Sequence, residues 1–356
     1  MARLFGAEIS REALADMVGD PLQVAGIRQM RLADGREADV RIADVRTGSG
    51  LRFQVTLDRG MDLSLAEYKG IPLSWRSPGG DVHPAYFDPR GSEWQRTFPG
   101  GLMTGCGLTY LGAACVDEGS ELGLHGRLSH LPATNVNTST RWEGDQCVMT
   151  LEGMIRESRL FGDNLLLHRS MEVHLGESTI RINDTITNEG GGRTPLMMLY
   201  HFNLGWPLVD DGSMLLLNTD GLTSRDADAE QGRSDARRCS RPVKGFREQV
   251  FYSDLRSDAE GFATALLLNN RLKLGFFLRF RLEELPRFIL MRMMGEGVYM
   301  VGMEPANCLV EGRAKERERG TLQFLDPGED RRFFLLAGVL EGETQITSFT
   351  AKHNLQ

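Results

Sequence analysis

The stretch "LRFQVTL", residues 51–57, alternates without a fault: Leu51, Phe53, Val55 and Leu57 are apolar, and Arg52, Gln54 and Thr56 between them are polar. A period of two belongs to a strand with one face in a core and the other in water. The pattern recurs. Residues 165–175 set Leu167, Met171, Val173 and Leu175 against His168, Ser170, Glu172 and His174, and residues 178–187 repeat it. "NEGGGRTP" then turns the chain into "LYHFNLGWP". Further on, "ALLLNNRLKLGFFLRF" predicts a hairpin whose second strand aligns Leu272, Leu274, Phe276, Leu278 and Phe280, and "RRFFLLAGVL" a late buried strand after the turn "DPGED". One helix is well signalled: Ser10 can cap Arg11 to Val18, with Leu14, Met17 and Val18 on one face and Gly19-Asp20-Pro21 as its stop. Many antiparallel strands with few short helices predict an all-β sandwich of sheets.

The 356 residues carry no internal repeat and no compositional break, so the expectation is one oversized β domain over 1–356. Residues 224–247, rich in Asp, Arg and Ser, read as an exposed excursion between strands. A net charge of −8 argues against nucleic acid, whose phosphates demand clustered cations. No secretory signal and no run of about 18 apolar residues is visible, which predicts a cytoplasmic protein without a membrane partner. Five scattered cysteines without a C-x-x-C pair predict reduced thiols rather than disulfides or a zinc knuckle. The class left is a soluble protein acting on a small molecule.

Seven histidines sharpen that class. His168 and His174 fall on a polar strand face and His353 in the tail, all surface positions; His83 and His130 adjoin prolines or loops and stay undecided. His125 lies between Gly123 and Gly126 in "ELGLHGRLSHLPA", where backbone can approach a ligand closely or simply form a turn. His201 follows the apolar run "PLMMLY" and is either a reactive imidazole or a buried one satisfied by a neighbour. Glu304 follows "VYMVGM"; a buried carboxylate there is an acid/base group or half of an ion pair, with Arg59 as a partner or as a ligand donor. Asp184, among Ile180, Ile182 and Ile186, reads as a structural buried acid. "GGLMTGCG" reads as a site-lining loop or a turn cluster without the lysine of a phosphate loop, and Cys106 within it as a small buried thiol. Trp75, Trp94 and Trp206 are core residues or sugar-stacking platforms.

"GLHG", "YHFNLG" and "VGMEPANC", in that order, resemble the three motifs of the aldose 1-epimerase (galactose mutarotase) superfamily. With "LDRGMDLSLAEYKGIPLSW" and "GGLMTGCGL" they resemble more closely an aldose-1-epimerase-like branch of that superfamily known as a domain of unknown function. The resemblance implies a large antiparallel β-supersandwich of galactose mutarotase type that holds a sugar or sugar derivative on an open face. It implies that Glu304 is the general base on the anomeric O1 hydroxyl, His201 the general acid on the ring oxygen, and His125 a support for that oxygen. Ring opening and reclosure from the other face would interconvert anomers with no cofactor. Arg59, Arg127, Asn203 and Trp206, adjacent to these motifs or further donors, are the expected sugar contacts. Two departures stand beside the substrate: Phe202-Asn203 follow His201 directly, and Arg127 replaces the usual second glycine after His125. They open the site to an acidic or phosphorylated sugar held by Arg59, Arg96 or Arg127. Two other functions compete: a metal-dependent sugar isomerase with His125, His201 and Glu304 as ligands, and a sugar-binding protein without catalysis. A homodimer is an admissible assembly.

Overall fold

The computed structural model describes residues 1–356. Two antiparallel sheets carry nearly all the strands. The main path of the twelve-stranded sheet runs through the strands beginning at Thr223, Gln249, Arg287, Val298, Thr194, Met103, Asp62, Leu51, Arg41 and Gly26. The eight-stranded sheet runs through those beginning at Thr134, Gln146, Asn164, Thr179, Asp330, Leu274, Phe262 and Met214. The largest apolar cluster lies between them and includes Phe53, Leu151, Tyr200, Phe276 and Phe333. No helix is long and apolar enough to cross a membrane.

The strand Thr194–Gly205 shows why "PLMMLY" is apolar throughout. Leu196, Met198, Tyr200, Phe202 and Leu204 point into the inter-sheet core. Met197 and Leu199 point the other way, into a smaller cluster with Trp94, Cys106, Ile289, Met291 and Met300. This central strand is therefore covered on both faces, and the second face is roofed by side chains from loops. His201 and Asn203 continue that second face. Alternation along one strand thus aims its polar residues at a covered surface rather than at water.

A polar cluster is buried between the sheets. Arg169 donates through Nε and Nη2 to Asp184, at 2.9 and 2.6 Å, and through Nη1 to the Gly60 carbonyl at 2.8 Å. Tyr200 Oη donates to Asp184 Oδ2 at 2.7 Å. Asp184 is the buried acid of its strand, and this double pairing is what makes its burial tolerable.

Several expectations change in detail. The first helix spans Arg11–Met17, with Ser10 Oγ accepting from Ala13 N at 3.1 Å, a cap that contributes about 1 kcal/mol. Only Leu14 of its apolar face is buried, and Met17 is 62% exposed. The helix Glu343–Lys352 carries no sequence signal, since Gly342 offers no side-chain cap and the segment is rich in β-branched residues. Residues 100–108 form no loop: Gly100–Gly101 is a buried strand paired with Trp75–Arg76, and Met103–Leu108 is a buried strand beside Thr194–Gly205. His353 is buried, not on the surface, and packs its ring 4.5 Å from that of Phe349. His130 is a core residue, hydrogen-bonded to Thr97 Oγ1 at 2.8 Å.

Candidate active site

Strand register assembles the first pair. Phe202 pairs with Met303 and Leu199 with Ala306, which sets Glu304 opposite His201; Thr104 pairs with His201 on one flank and Ile289 with Glu304 on the other. His201 Nε2 and Glu304 Oε1 stand 3.2 Å apart, with side chains only 8% and 3% exposed. Their alignment falls short of a hydrogen bond, which leaves Glu304 Oε1 buried without a partner; His201 Nδ1, on the other side of the ring, is buried and unpaired as well. Gly302, two residues along the same face, makes the room. A Cβ there would lie 2.3 Å from Glu304 Oε1, so only glycine leaves the carboxyl where it is.

His125 arrives from a loop. Its backbone is left-handed, φ 57°, and is clamped by His125 N donating to the Gly112 carbonyl at 2.9 Å and Gly107 N donating to the His125 carbonyl at 3.1 Å. The flanking glycines are required by contact: a Cβ on Gly123 would sit 1.9 Å from the Pro89 carbonyl oxygen, and one on Gly126 2.3 Å from that of Gly107. A non-glycine residue at positive φ costs on the order of 1 kcal/mol. That strain carries the imidazole to His201, ring centroids 6.1 Å apart and nearly perpendicular. Trp94 stacks at an angle on His125 at 4.8 Å, and Phe98 lies 5.6 Å from His201.

The three side chains line one cavity of about 150 Å³ together with Gln95, Arg225, Glu248 and an apolar wall that includes Leu124, Val250, Ile289 and Met291. A larger apolar cavity, about 270 Å³, lies elsewhere, against Leu14, Leu22 and Trp142, and contains no histidine. No group of three His, Cys, Asp or Glu side chains is placed to hold a metal ion.

Burial governs the protonation of the site. It pushes the His201 imidazole down to about 3, helped by the neighbouring His125, and the His125 imidazole down to about 4, helped by the positive charge of Arg225. It pushes the Glu304 carboxyl well above the usual carboxylate range, a direction reinforced by Glu248 and opposed by Arg225. Burial thus disfavours the charged form of both groups, and a proton held between them rests on the carboxyl rather than on the imidazole. The ion-pair form expected of an acid and a base differs from this state only by transfer of that proton across 3.2 Å.

Of the seven residues marked from sequence, His125, His201 and Glu304 meet in the cavity and the others lie around or away from it. Asn203 shares the His201 face, and its Nδ2 donates to the His201 carbonyl at 2.8 Å while Oδ1 is buried and unpaired. Arg59 is fully buried below, donating to the carbonyls of Val82 and Thr97 and to Ser129 Oγ, and is neither a partner of Glu304 nor part of the cavity lining. Arg127 is exposed, and Trp206 is 64% exposed, both outside the lining. Arg96 points to solvent and pairs with Glu93 at 2.7 Å. Gln95, Arg225 and Glu248 escaped the sequence reading. Arg225 belongs to the supposed exposed excursion, and nothing in a local pattern marks a residue that a fold returns to a distant strand.

The chain belongs to the family described as a domain of unknown function, DUF4432, whose family model matches residues 37–339. No curated protein matches it in sequence. Among solved structures it is similar to a candidate aldose 1-epimerase from Klebsiella pneumoniae, with a TM-score of 0.87 and 23% identity over 92% of this chain and 86% of that one. It is also similar to a galactose mutarotase-like protein from Clostridium acetobutylicum, TM-score 0.62 and 11% identity, over 90% of this chain and 99% of that one. A galactose 1-epimerase from Lactobacillus acidophilus superposes with a TM-score of 0.57 at 15% identity, over 90% of this chain and all (100%) of that one. At such identities the likeness establishes the fold: a galactose mutarotase-like β-sandwich.

Proposed function

We propose that the protein is a cofactor-free aldose 1-epimerase, interconverting sugar anomers by general acid and base catalysis. The observation that carries this reading is the His201–Glu304 pair, 3.2 Å apart and closed from water, with His125 on the same cavity. Ring opening needs one proton removed from the O1 hydroxyl and one delivered to the ring oxygen, so a pair holding one shared proton matches its stoichiometry. Transfer within the pair gives an imidazolium and a carboxylate. His201 protonates the ring oxygen while Glu304 accepts the O1 proton; the C1–O5 bond breaks and an open-chain aldehyde forms. His125 steadies the ring oxygen. Rotation about C1–C2 and the reverse transfers close the ring from the other face and restore the pair. Each positioned group contributes on the order of 10²- to 10⁴-fold. Asn203, fully buried and outside the cavity lining, holds the His201 carbonyl rather than a sugar.

The test is anomer exchange across a panel of aldoses, followed by NMR saturation transfer. Acceleration that falls at least about 100-fold in Glu304→Gln and in His201→Asn supports the reading. Sugar binding with no acceleration by the native protein would make it a binding protein, and loss of exchange after exhaustive chelation, restored by a metal, would make it a metal-dependent isomerase.

A further inference from the structure

Apart from Glu304, the cavity wall carries one cation, Arg225, and one carboxylate, Glu248. They come from the two ends of a single excursion. Arg225 follows the short strand Thr223–Ser224, and Glu248 precedes the strand Gln249–Ser253. Pairing of Ser224 with Phe251, and donation from Arg225 N to the Val250 carbonyl at 2.9 Å, bring both ends to the wall. Arg225 Nη2 donates to Glu248 Oε2 at 3.1 Å, and its Nε donates to Asp226 Oδ2 at 2.8 Å. One guanidinium charge therefore meets two carboxylates. The three arginines that the sequence offered to an acidic sugar, Arg59, Arg96 and Arg127, lie outside the cavity lining.

We infer that the Arg225–Glu248 pair sets the charge selectivity of the cavity: Glu248 cancels its one cation, so a sugar bearing a carboxylate or phosphate is rejected and hydroxyls are accepted. An entering anion meets a guanidinium already neutralised, with Glu248 at its side. A diol meets one acceptor and one donor held 3.1 Å apart, a spacing that two neighbouring hydroxyls can bridge. Rejection by a fixed like charge is specificity built from repulsion, and it requires no contact with the part of the sugar that reacts. Turnover of the selected sugar rests on the proposed epimerase reading; its binding does not.

The experiment separates the two. Binding of glucose, glucuronate and glucose 6-phosphate is measured in a Glu304→Gln background, where chemistry is silent, with and without Glu248→Gln. The Gln keeps the shape and an acceptor oxygen but removes the charge. The expected result is that the native wall prefers glucose and that Glu248→Gln raises the affinity for both anions relative to glucose by about tenfold or more. Arg225→Gln is expected to move the ratio the opposite way. As a check on the unaltered wall, raising salt should lessen the discrimination against the anions. An unchanged ratio in Glu248→Gln, or native binding of the anions as tight as that of glucose, would overturn the inference. Absence of anomer exchange by the native enzyme with this selectivity intact would defeat the epimerase reading and leave the inference standing.

Discussion

Gly302→Ala asks whether the position of the Glu304 carboxyl, rather than its mere presence, drives the reaction. A Cβ at residue 302 would stand 2.3 Å from Glu304 Oε1, and ordinary contact begins near 3.4 Å, so the carboxyl must retreat by 3.4 − 2.3 = 1.1 Å. Misplacing a catalytic group by about 1 Å costs on the order of 100-fold in rate. The fold should tolerate the change. Glu304 yields at the far end of a flexible side chain, and the other close neighbour, Met291 Cβ at 3.0 Å, must give only by a few tenths of an ångström. A stability loss of about 1 kcal/mol follows. If the proposed epimerase reading holds, saturation-transfer NMR on a sugar that the native protein turns over should show kcat down about 100-fold, with a much smaller change in KM, because the cavity keeps its lining. Urea unfolding should show a midpoint close to native. Native kcat in Gly302→Ala, with a crystal structure showing the carboxyl displaced, would refute Glu304 as the base. Native kcat with the carboxyl unmoved would instead refute the steric argument.

Other expectations follow from the same geometry. Folding raises the Glu304 pKa, so the native state binds the proton more tightly than the unfolded chain, and this contribution to stability is lost as pH climbs above the ordinary carboxylate range. Glu304→Gln should therefore melt higher than native at pH 8, by a margin that shrinks toward pH 4.5; equal melting temperatures at pH 8 would contradict the burial argument. The lowered pKa values of His125 and His201, about 4 and about 3, act in the other direction: native stability should fall as pH drops below the ordinary histidine value of about 6.5, and His201→Asn should flatten that acid limb. Asp184→Asn leaves Arg169 buried without its countercharge and should cost about 3 to 5 kcal/mol in urea unfolding, with no selective effect on the cavity. Gly123→Ala drives a Cβ to 1.9 Å from the Pro89 carbonyl oxygen, a backbone group that cannot swing aside, so its main effect should be on the placement of His125 and on kcat.

The all-β class was legible in the sequence because alternation is a local property: Leu51, Phe53 and Val55 are buried in the strand Leu51–Thr56 as their period of two requires. The resemblance of three short motifs picked out His125, His201 and Glu304 because glycines that admit no Cβ and polar residues inside apolar runs leave marks along the chain. Local pattern failed where the partner lies far away. In "GGLMTGCG" the glycines suggested a loop, yet a strand between two buried neighbours needs small residues for the same reason that a turn does: something else occupies the space of the side chain. Arg59 was read as a ligand donor since no local rule reveals that the carbonyls of Val82 and Thr97 absorb its donors.

The sequence by itself determined the all-β class and the inward faces of its alternating strands, and it marked His125, His201 and Glu304 as candidates. Only the tertiary structure decided that His201 and Glu304 stand opposite each other at 3.2 Å, and that Arg225 and Glu248 close the same wall from the ends of an excursion. The physical reason is the range over which each is encoded: strand periodicity is written in neighbouring residues, whereas register and burial come from pairing distant segments, as where Thr179 pairs with Gly338. The protonation state of the pair belongs to the second kind, since it is burial, rather than residue type, that moves the proton to Glu304.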